Sequence, residues 1–249
     1  AAAPAAGACC GAALGWRCAW LLLSGLTLCW AVVVWLKVPP DPARSTALPG
    51  PGWGGRLRQT LSSSGPWLVA LAFCVYSGQW LAVVGFLPGI YARAGLSGQL
   101  AGLLTAFACL ANVTGNVAAG QLLHRGVCAR HLLYTGFGVM ALAAFVAFNP
   151  HTADAPIVRY VPVVLFSAVG GLIPATLFAL AVHVAPNEHT VSTTVGWMQQ
   201  CSSAGQFLGP PLVAWVAGLA GGWQWTWVLT GTASAVGLLL ASQARYQRP

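Results

Sequence analysis

Residues 19–36 read AWLLLSGLTLCWAVVVWL, a run without one charged side chain. Hydrocarbon offers no water to backbone N–H and C=O groups, so a spanning segment must pair them internally, as a helix of about 20 apolar residues or as strands of a closed barrel. A barrel strand alternates lipid-facing and lumen-facing residues with a period of two. Here the apolar side chains surround the segment on all sides, so it reads as a transmembrane α-helix. The chain around it is accordingly read as an all-α polytopic membrane protein.

Composition agrees along the whole sequence. Hydrophobic residues make up 57% and charged residues 6%, there are 12 Trp, and the mean hydropathy is +0.73, more apolar surface than a soluble domain can hide. Six further candidate spans follow residue 36, at 66–91, 96–123, 132–148, 160–185, 190–218 and 223–241, giving about seven transmembrane helices. None of them holds Lys, Arg, Asp or Glu. The net charge of +8 does not imply nucleic acid, because the basic residues lie between apolar runs and form no continuous patch. The 8 cysteines are scattered, with no C-x-x-C pair and no His/Cys ligand spacing, so neither a disulfide scaffold nor a metal site is expected, and no cofactor.

Basic residues in short loops are retained on the cytoplasmic side. With the amino end outside, Lys37, Arg44, Arg56, Arg58, Arg125, Arg130, Arg245 and Arg248 fall inside, and Arg17, Arg93 and Arg159 outside. The carboxy terminus is then cytoplasmic, and the expected location is a bacterial inner (plasma) membrane. Four regions follow: an outer lead-in with an isolated helix at 1–36, a Pro/Gly/Ser-rich cytoplasmic linker at 37–65 without apolar periodicity, a six-helix block at 66–242, and a tail at 243–249. The block divides around the outer loop NPHTADAPIVR into two triplets of spans. A triplet turns its successor upside down, so the six form two inverted three-helix repeats, an arrangement that puts a solute site near the midplane. A short echo, GFLP at 85–88 and GLIP at 171–174, supports the repeat.

The loop GNVAAGQLLHRGVCARHLL at 115–133 resembles the loop motif of the major facilitator superfamily, G-x-x-x-D-R-x-G-R-R. Gly120 and Arg125 fit the Gly and the first Arg, His124 stands where the family has Asp, and Gly126 comes one residue early. With the basic loop, the Pro66–Trp80 opening and GQFLGPPLVAWVAG near the end, the block looks like the carboxy-terminal half of such a transporter, preceded by the sixth helix of twelve. More loosely, GFLPGIYARAGLS is similar to the cyanate and nitroimidazole branch. The resemblance implies secondary active transport of a small solute by alternating access, with Gly120, His124, Arg125 and Arg130 in a gating loop. Neutral His124 cannot serve as the carboxylate, so a reduced gating role is expected, with Arg125 capping the end of its helix. The chain has no initiator Met and fewer helices than the family, so it reads as a fragment whose expected partners are the lipid bilayer, the solute and an amino-terminal half. A non-transporting structural or receptor-like membrane protein is the alternative. An intramembrane enzyme is not supported: H-E-x-x-H, G-x-S-x-G and paired membrane aspartates are all missing from the sequence.

Polar side chains inside spans are costly unless they face the bundle interior or a wet cavity, so they point to function or to helix–helix bonding. Tyr76, Gln79 and Trp80 lie within about one turn. Asn112 and Asn116 share a stripe with Thr105. Residues 190–218 are the most polar span, with Thr193, Gly196, Gln200 and Ser203 on one stripe and Gln199, Ser202 and Gln206 on the next. Thr176 follows Gly170, Gly171 and Pro174, where a broken helix exposes backbone groups. Pro210–Pro211 is expected to kink its helix beside Gly205-x-x-x-Gly209. The cavity candidates are therefore Tyr76, Gln79, Trp80, Asn112, Asn116, Thr176, Gln199, Gln200 and Ser203. His183, the one His well inside a span, is a candidate proton relay or a hydrogen-bonded helix-end residue.

Overall fold

A computed structural model describes residues 15–39, 52–149 and 156–243. The lead-in before Gly15, positions 40–51 of the linker with Arg44, the outer loop at 150–155 and the tail with Arg245 and Arg248 lie outside the described residues. Nine α-helices are described: α1 (Gly15–Lys37), α2 (Trp53–Leu61), α3 (Ser64–Arg93), α4 (Gly98–His124), α5 (Ala129–Phe148), α6 (Pro156–Gly170), α7 (Leu172–Val184), α8 (Val191–Leu219) and α9 (Thr226–Gln243). Short 3-10 turns, Glu188–Thr190 and Trp223–Trp225, precede α8 and α9.

Among the described residues, six helical segments are long and apolar enough to cross a membrane, one fewer than the runs read from the sequence: α1, α3, α4, α5, α6 with α7, and α9 with its leading turn. The missing one is α8, which has the length at 29 residues, or about 43 Å at 1.5 Å per residue, but carries too many amides and hydroxyls. It nevertheless runs beside α3 through Trp67–Trp197 (ring centroids 4.7 Å apart), Ser77 Oγ donating to the Ser202 carbonyl (2.9 Å) and Gly78 against Gly205. Helix α1 is different: its apolar window is entirely unburied, and Trp20, Trp30 and Trp35 are exposed.

The Pro/Gly/Ser-rich stretch at 37–65, read as a linker without apolar periodicity, holds α2. This helix buries Thr60, whose hydroxyl is 2.8 Å from that of Thr193, and Asn187 Nδ2 donates to Gln59 Oε1 at 3.0 Å. Its contacts are made with the start of α3, with the turn before α8 and with the start of α8, 133 positions away for the threonine pair, which is why no local periodicity announces it.

Within the six-helix block, α3 pairs with α8, α4 with α6 and α7, and α5 with α9. The first two pairs run parallel. The first helix of each triplet thus packs on the second helix of the other, and the third helices pack together, as two related repeats require. The register of the relationship shows in the backbone. A Cβ on Gly78 would lie 2.7 Å from the Gly205 carbonyl oxygen, and one on Gly171 would collide with the carbonyl oxygen of Asn112. Gly171 follows Gly78 by 93 positions, and Gly205 follows Asn112 by the same 93. The GFLP and GLIP echo is separated by 86 positions and is therefore not the structural match. Side chains at these crossings would force the helices apart, so small residues allow the close approach on which helix association in lipid depends.

The core between the helices is built from Phe137, Met140, Phe166, Ile173, Leu177 and Met198, all nearly inaccessible. The expected break near Pro174 is present: α6 ends at Gly170 and α7 begins at Leu172. Pro174 has no N–H for the Gly170 carbonyl, four residues back. Helix α8 continues through Pro210 and Pro211 without a break.

Candidate functional site

Tyr76, Gln79 and Trp80 leave α3 toward neighbouring helices and not toward an open face. The Tyr76 hydroxyl accepts from Asn112 Nδ2 (2.9 Å), which also donates to the Ser167 carbonyl (2.8 Å). Trp80 Nε1 donates to Ser167 Oγ at 3.0 Å, and Gln79 Oε1 accepts from Ser234 Oγ at 3.0 Å. Asn116 Nδ2 donates to the carbonyl (2.9 Å) and to Oδ1 (3.0 Å) of Asn112. Together these bonds fasten α3 to α4, α6 and α9.

Tyr76 and Gln79 are each 5% exposed and Thr176 is fully buried, with its hydroxyl donating to the Leu172 carbonyl at 2.6 Å. Trp80, Asn112 and Asn116 are half-buried. Tyr76, Gln79, Trp80 and Asn112 thus bond across helices of the same block, whereas Asn116 and Thr176 bond within their own helices. Burial inside hydrocarbon-facing helices makes such bonds the alternative to orphaned groups. Nε2 of Gln79 does remain buried without a partner.

Gln199, Gln200 and Ser203 on α8 behave in the opposite way. All three are exposed, as are Ser192, Gly196 and Gln206 on the same side, while Thr194, Met198, Ser202 and Gly205 are buried. From Ser192 to Gln206 this polar face extends about 21 Å along the helix. Beyond it α8 turns apolar, with Phe207, Leu208, Leu212 and Trp215 exposed. The other helices show mainly large apolar groups outward, such as Leu103, Phe107 and Leu110 on α4 and Val158, Val161 and Leu165 on α6.

Where the polar face begins, α2 lies against it and borders an open cleft of about 440 Å³ lined by Trp53, Arg56, Ser192, Thr193, Trp197 and Gln200, among others. Arg56 Nε is buried there with no hydrogen-bond partner. Arg56 was read from the sequence only as a topology marker. Its place beside Gln200 depends on the docking of α2, a contact between distant segments.

The loop residues form a helix end. Gly126, at φ 83°, donates to the Leu123 carbonyl (3.0 Å), and Val127 donates to the Leu122 carbonyl (2.9 Å). This is a Schellman closure, which a left-handed residue makes possible. The Arg125 backbone N–H donates to the Gln121 carbonyl at 3.0 Å, so Arg125 is the cap residue through its main chain. Gly120 is exposed with open space where a Cβ would stand. His124 and Arg125 are exposed, and Arg130 Nε donates to the Tyr134 hydroxyl (2.9 Å) with its guanidinium 5.2 Å from that ring. His183, in the last turn of α7, is exposed and has no hydrogen bond among the described residues, so the structure does not include it in the interior network. No group of three or more metal-binding side chains occurs among the described residues.

A family model, Major Facilitator Superfamily, matches residues 1–195, which takes in α1 to α7 and the first turn of α8. No curated protein matches the sequence, and the cyanate and nitroimidazole branch is therefore without support.

Proposed function

The chain belongs to the major facilitator superfamily, and we propose that its six-helix block is one half of a secondary carrier whose solute passes along the polar face of α8. The superfamily consists of membrane transporters, and the chain is an integral membrane protein.

The observation that carries the proposal is the exposure of Gln199, Gln200 and Ser203 on a helix packed among apolar ones. Amides and hydroxyls facing hydrocarbon are costly, so this face calls for a wet path or a covering partner. The fold itself makes no demand for them. At the positions related by the 93-residue register, Phe107 stands for Gln200 and Leu110 for Ser203, and these are 57% and 53% exposed. Apolar side chains therefore suit the same outward position in the related repeat. The polar face covers the inner part of α8 and gives way to Phe207 and Trp215, as a vestibule opening inward would.

The solute class follows from the donors. Amides and hydroxyls meet there beside the Arg56 side chain, and the described residues contain one acid, Glu188, which does not line the cleft. Small neutral polar molecules or small anions fit such a surface, and cations do not. A second six-helix half completes the path in this reading, and rocking of the two halves gives alternating access.

The test copies the related repeat into α8. Uptake of a panel of labelled neutral and monoanionic solutes is measured in proteoliposomes, with and without a co-expressed six-helix partner. Gln200→Phe and Ser203→Leu are expected to insert and melt normally while abolishing uptake. Uptake at the parental rate in both variants overturns the assignment of α8.

A further inference from the structure

The open cleft between α2 and the start of α8 is bordered by an indole from each helix, Trp53 from α2 and Trp197 from α8. Trp53 is 69% exposed and Trp197 is half-buried. A third indole joins the two walls. Trp67, near the start of α3, donates from Nε1 to the Leu61 carbonyl at the end of α2 (2.8 Å), and its ring packs edge-to-face with Trp197 at 4.7 Å. Thr60 with Thr193 and Gln59 with Asn187 hold the same two elements together. The walls are therefore in place without a ligand, which lowers the ordering cost that binding must meet.

The space beside both rings is clear. Gly54 follows Trp53 and Gly196 precedes Trp197, both glycines are exposed, and open space lies where a Cβ on either would stand. The α8 wall adds Ser192 and Gln200, both exposed, and residues 191–219 hold no Lys, Arg, Asp or Glu. A hydroxyl and an amide each donate and accept. At about 440 Å³ the cleft has the size of a small-molecule site, about 300–1,000 Å³. Anchoring at a membrane surface accounts for a Trp at a helix end. It does not account for two indoles on one cleft together with Gly196 and Gln200.

We infer that the solute is a small, neutral, planar ring compound, stacked on Trp53 and Trp197 and read along its edge by Gln200 and Ser192. The inference rests on the reading that α8 lines the solute path, and it narrows that reading to one substrate class. Any flat unsaturated ring offers a π face, so stacking on an aromatic side chain tolerates different substituents. The amide and hydroxyl then favour a ring whose edge both donates and accepts. Trp197 takes part through its ring alone, because its Nε1 is buried. An aliphatic solute of the same polarity leaves both rings unused.

The test uses the full chain in lipid nanodiscs and equilibrium dialysis, with empty nanodiscs giving the uptake of each probe by lipid. Labelled uracil and benzamide are the planar probes, and dihydrouracil and cyclohexanecarboxamide are their saturated counterparts. Each planar probe is expected to bind about tenfold tighter than its counterpart, the scale of stacking on an aromatic side chain. Trp53→Leu is expected to remove that preference at an unchanged melting temperature, since the ring is exposed, and Trp53→Phe to keep most of it. Gln200→Leu is expected to weaken planar and saturated probes alike. Equal affinity for both kinds of probe, lost in Gln200→Leu, overturns the planar class and leaves the α8 path standing. Parental binding of every probe in Gln200→Leu removes α8 from the site, and the inference with it. A preference unchanged in Trp53→Leu, or binding of none of the four probes, also overturns the inference.

Discussion

Gly78 of α3 lies directly on Gly205 of α8, with room for no more than hydrogen atoms between them: a Cβ on Gly78 would stand 2.7 Å from the Gly205 carbonyl oxygen. The obstacle is backbone and cannot swing aside, so Gly78→Ala must push α8 off α3. Overpacking of this sort costs about 1–3 kcal/mol, and the expected result is a clearly lower melting temperature in detergent. Gly85 sits on the same helix with open space around it. There, Gly85→Ala is expected to be neutral or slightly stabilising, by up to about 1 kcal/mol. Equal melting temperatures for the two variants would remove the crossing as a determinant of stability.

The related crossing on the other repeat uses an amide where the first uses a glycine. Asn112 occupies the position that Gly205 holds, and it bonds Tyr76 and the Ser167 carbonyl at once. Its two ends are not equivalent. Tyr76→Phe takes one acceptor from Asn112 and leaves the Ser167 bond intact, a loss near the average of about 0.6 kcal/mol for interhelical polar contacts in membranes. Asn112→Ala leaves the buried Tyr76 hydroxyl orphaned as well and is expected to cost about 2 kcal/mol. Thermal unfolding of the two single variants and the double variant measures the asymmetry, which fails if Tyr76→Phe proves the costlier change.

Much of this architecture is legible in the chain because lipid enforces it. The helices of the block follow the apolar runs with end shifts of a few residues, since a spanning backbone has no other way to pair its groups. Helix α2 is different: Thr60 and Gln59 are held by Thr193 and Asn187, so nothing in residues 53–61 alone marks them as ordered. Polar residues were found by type but not by direction. Gln79 and Gln200 are both amides in mid-helix, yet one meets Ser234 inside the block and the other faces outward, and only packing separates them. The repeat was legible as two triplets, whereas its register required the backbone contacts of Gly78 and Gly171.

Gln79 and Ser234 allow a sharper test of burial. Gln79 Oε1 accepts from Ser234, while Nε2 is orphaned. Ser234→Ala strands the remaining acceptor in a buried site, at a cost of about 1–3 kcal/mol. Adding Gln79→Leu removes both stranded groups and fills similar volume. The double variant is expected to melt near or above the parent, even though each single change weakens the fold or leaves it unchanged. Double-variant losses equal to the sum of the single losses would mean that the pair is not coupled.

The last turns of α4 and the loop that follows hold a structural glycine, Gly126, and one with no structural constraint, Gly120. Gly126 holds φ 83°, a left-handed conformation that costs other residues about 1–2 kcal/mol, and its N–H closes the end of α4 on the Leu123 carbonyl. Gly120, the residue that fits the family motif, has no described atom within 4 Å of where a Cβ would stand. Gly126→Ala is therefore expected to lower the melting temperature, and Gly120→Ala to leave it unchanged. If Gly120→Ala nonetheless lowers transport in the proteoliposome assay at an unaltered melting temperature, its space is needed by a surface outside this block, which is where a gating contact with a second half would lie. A fall in melting temperature for Gly120→Ala would instead tie that glycine to the stability of α4 and leave the gating reading without its basis.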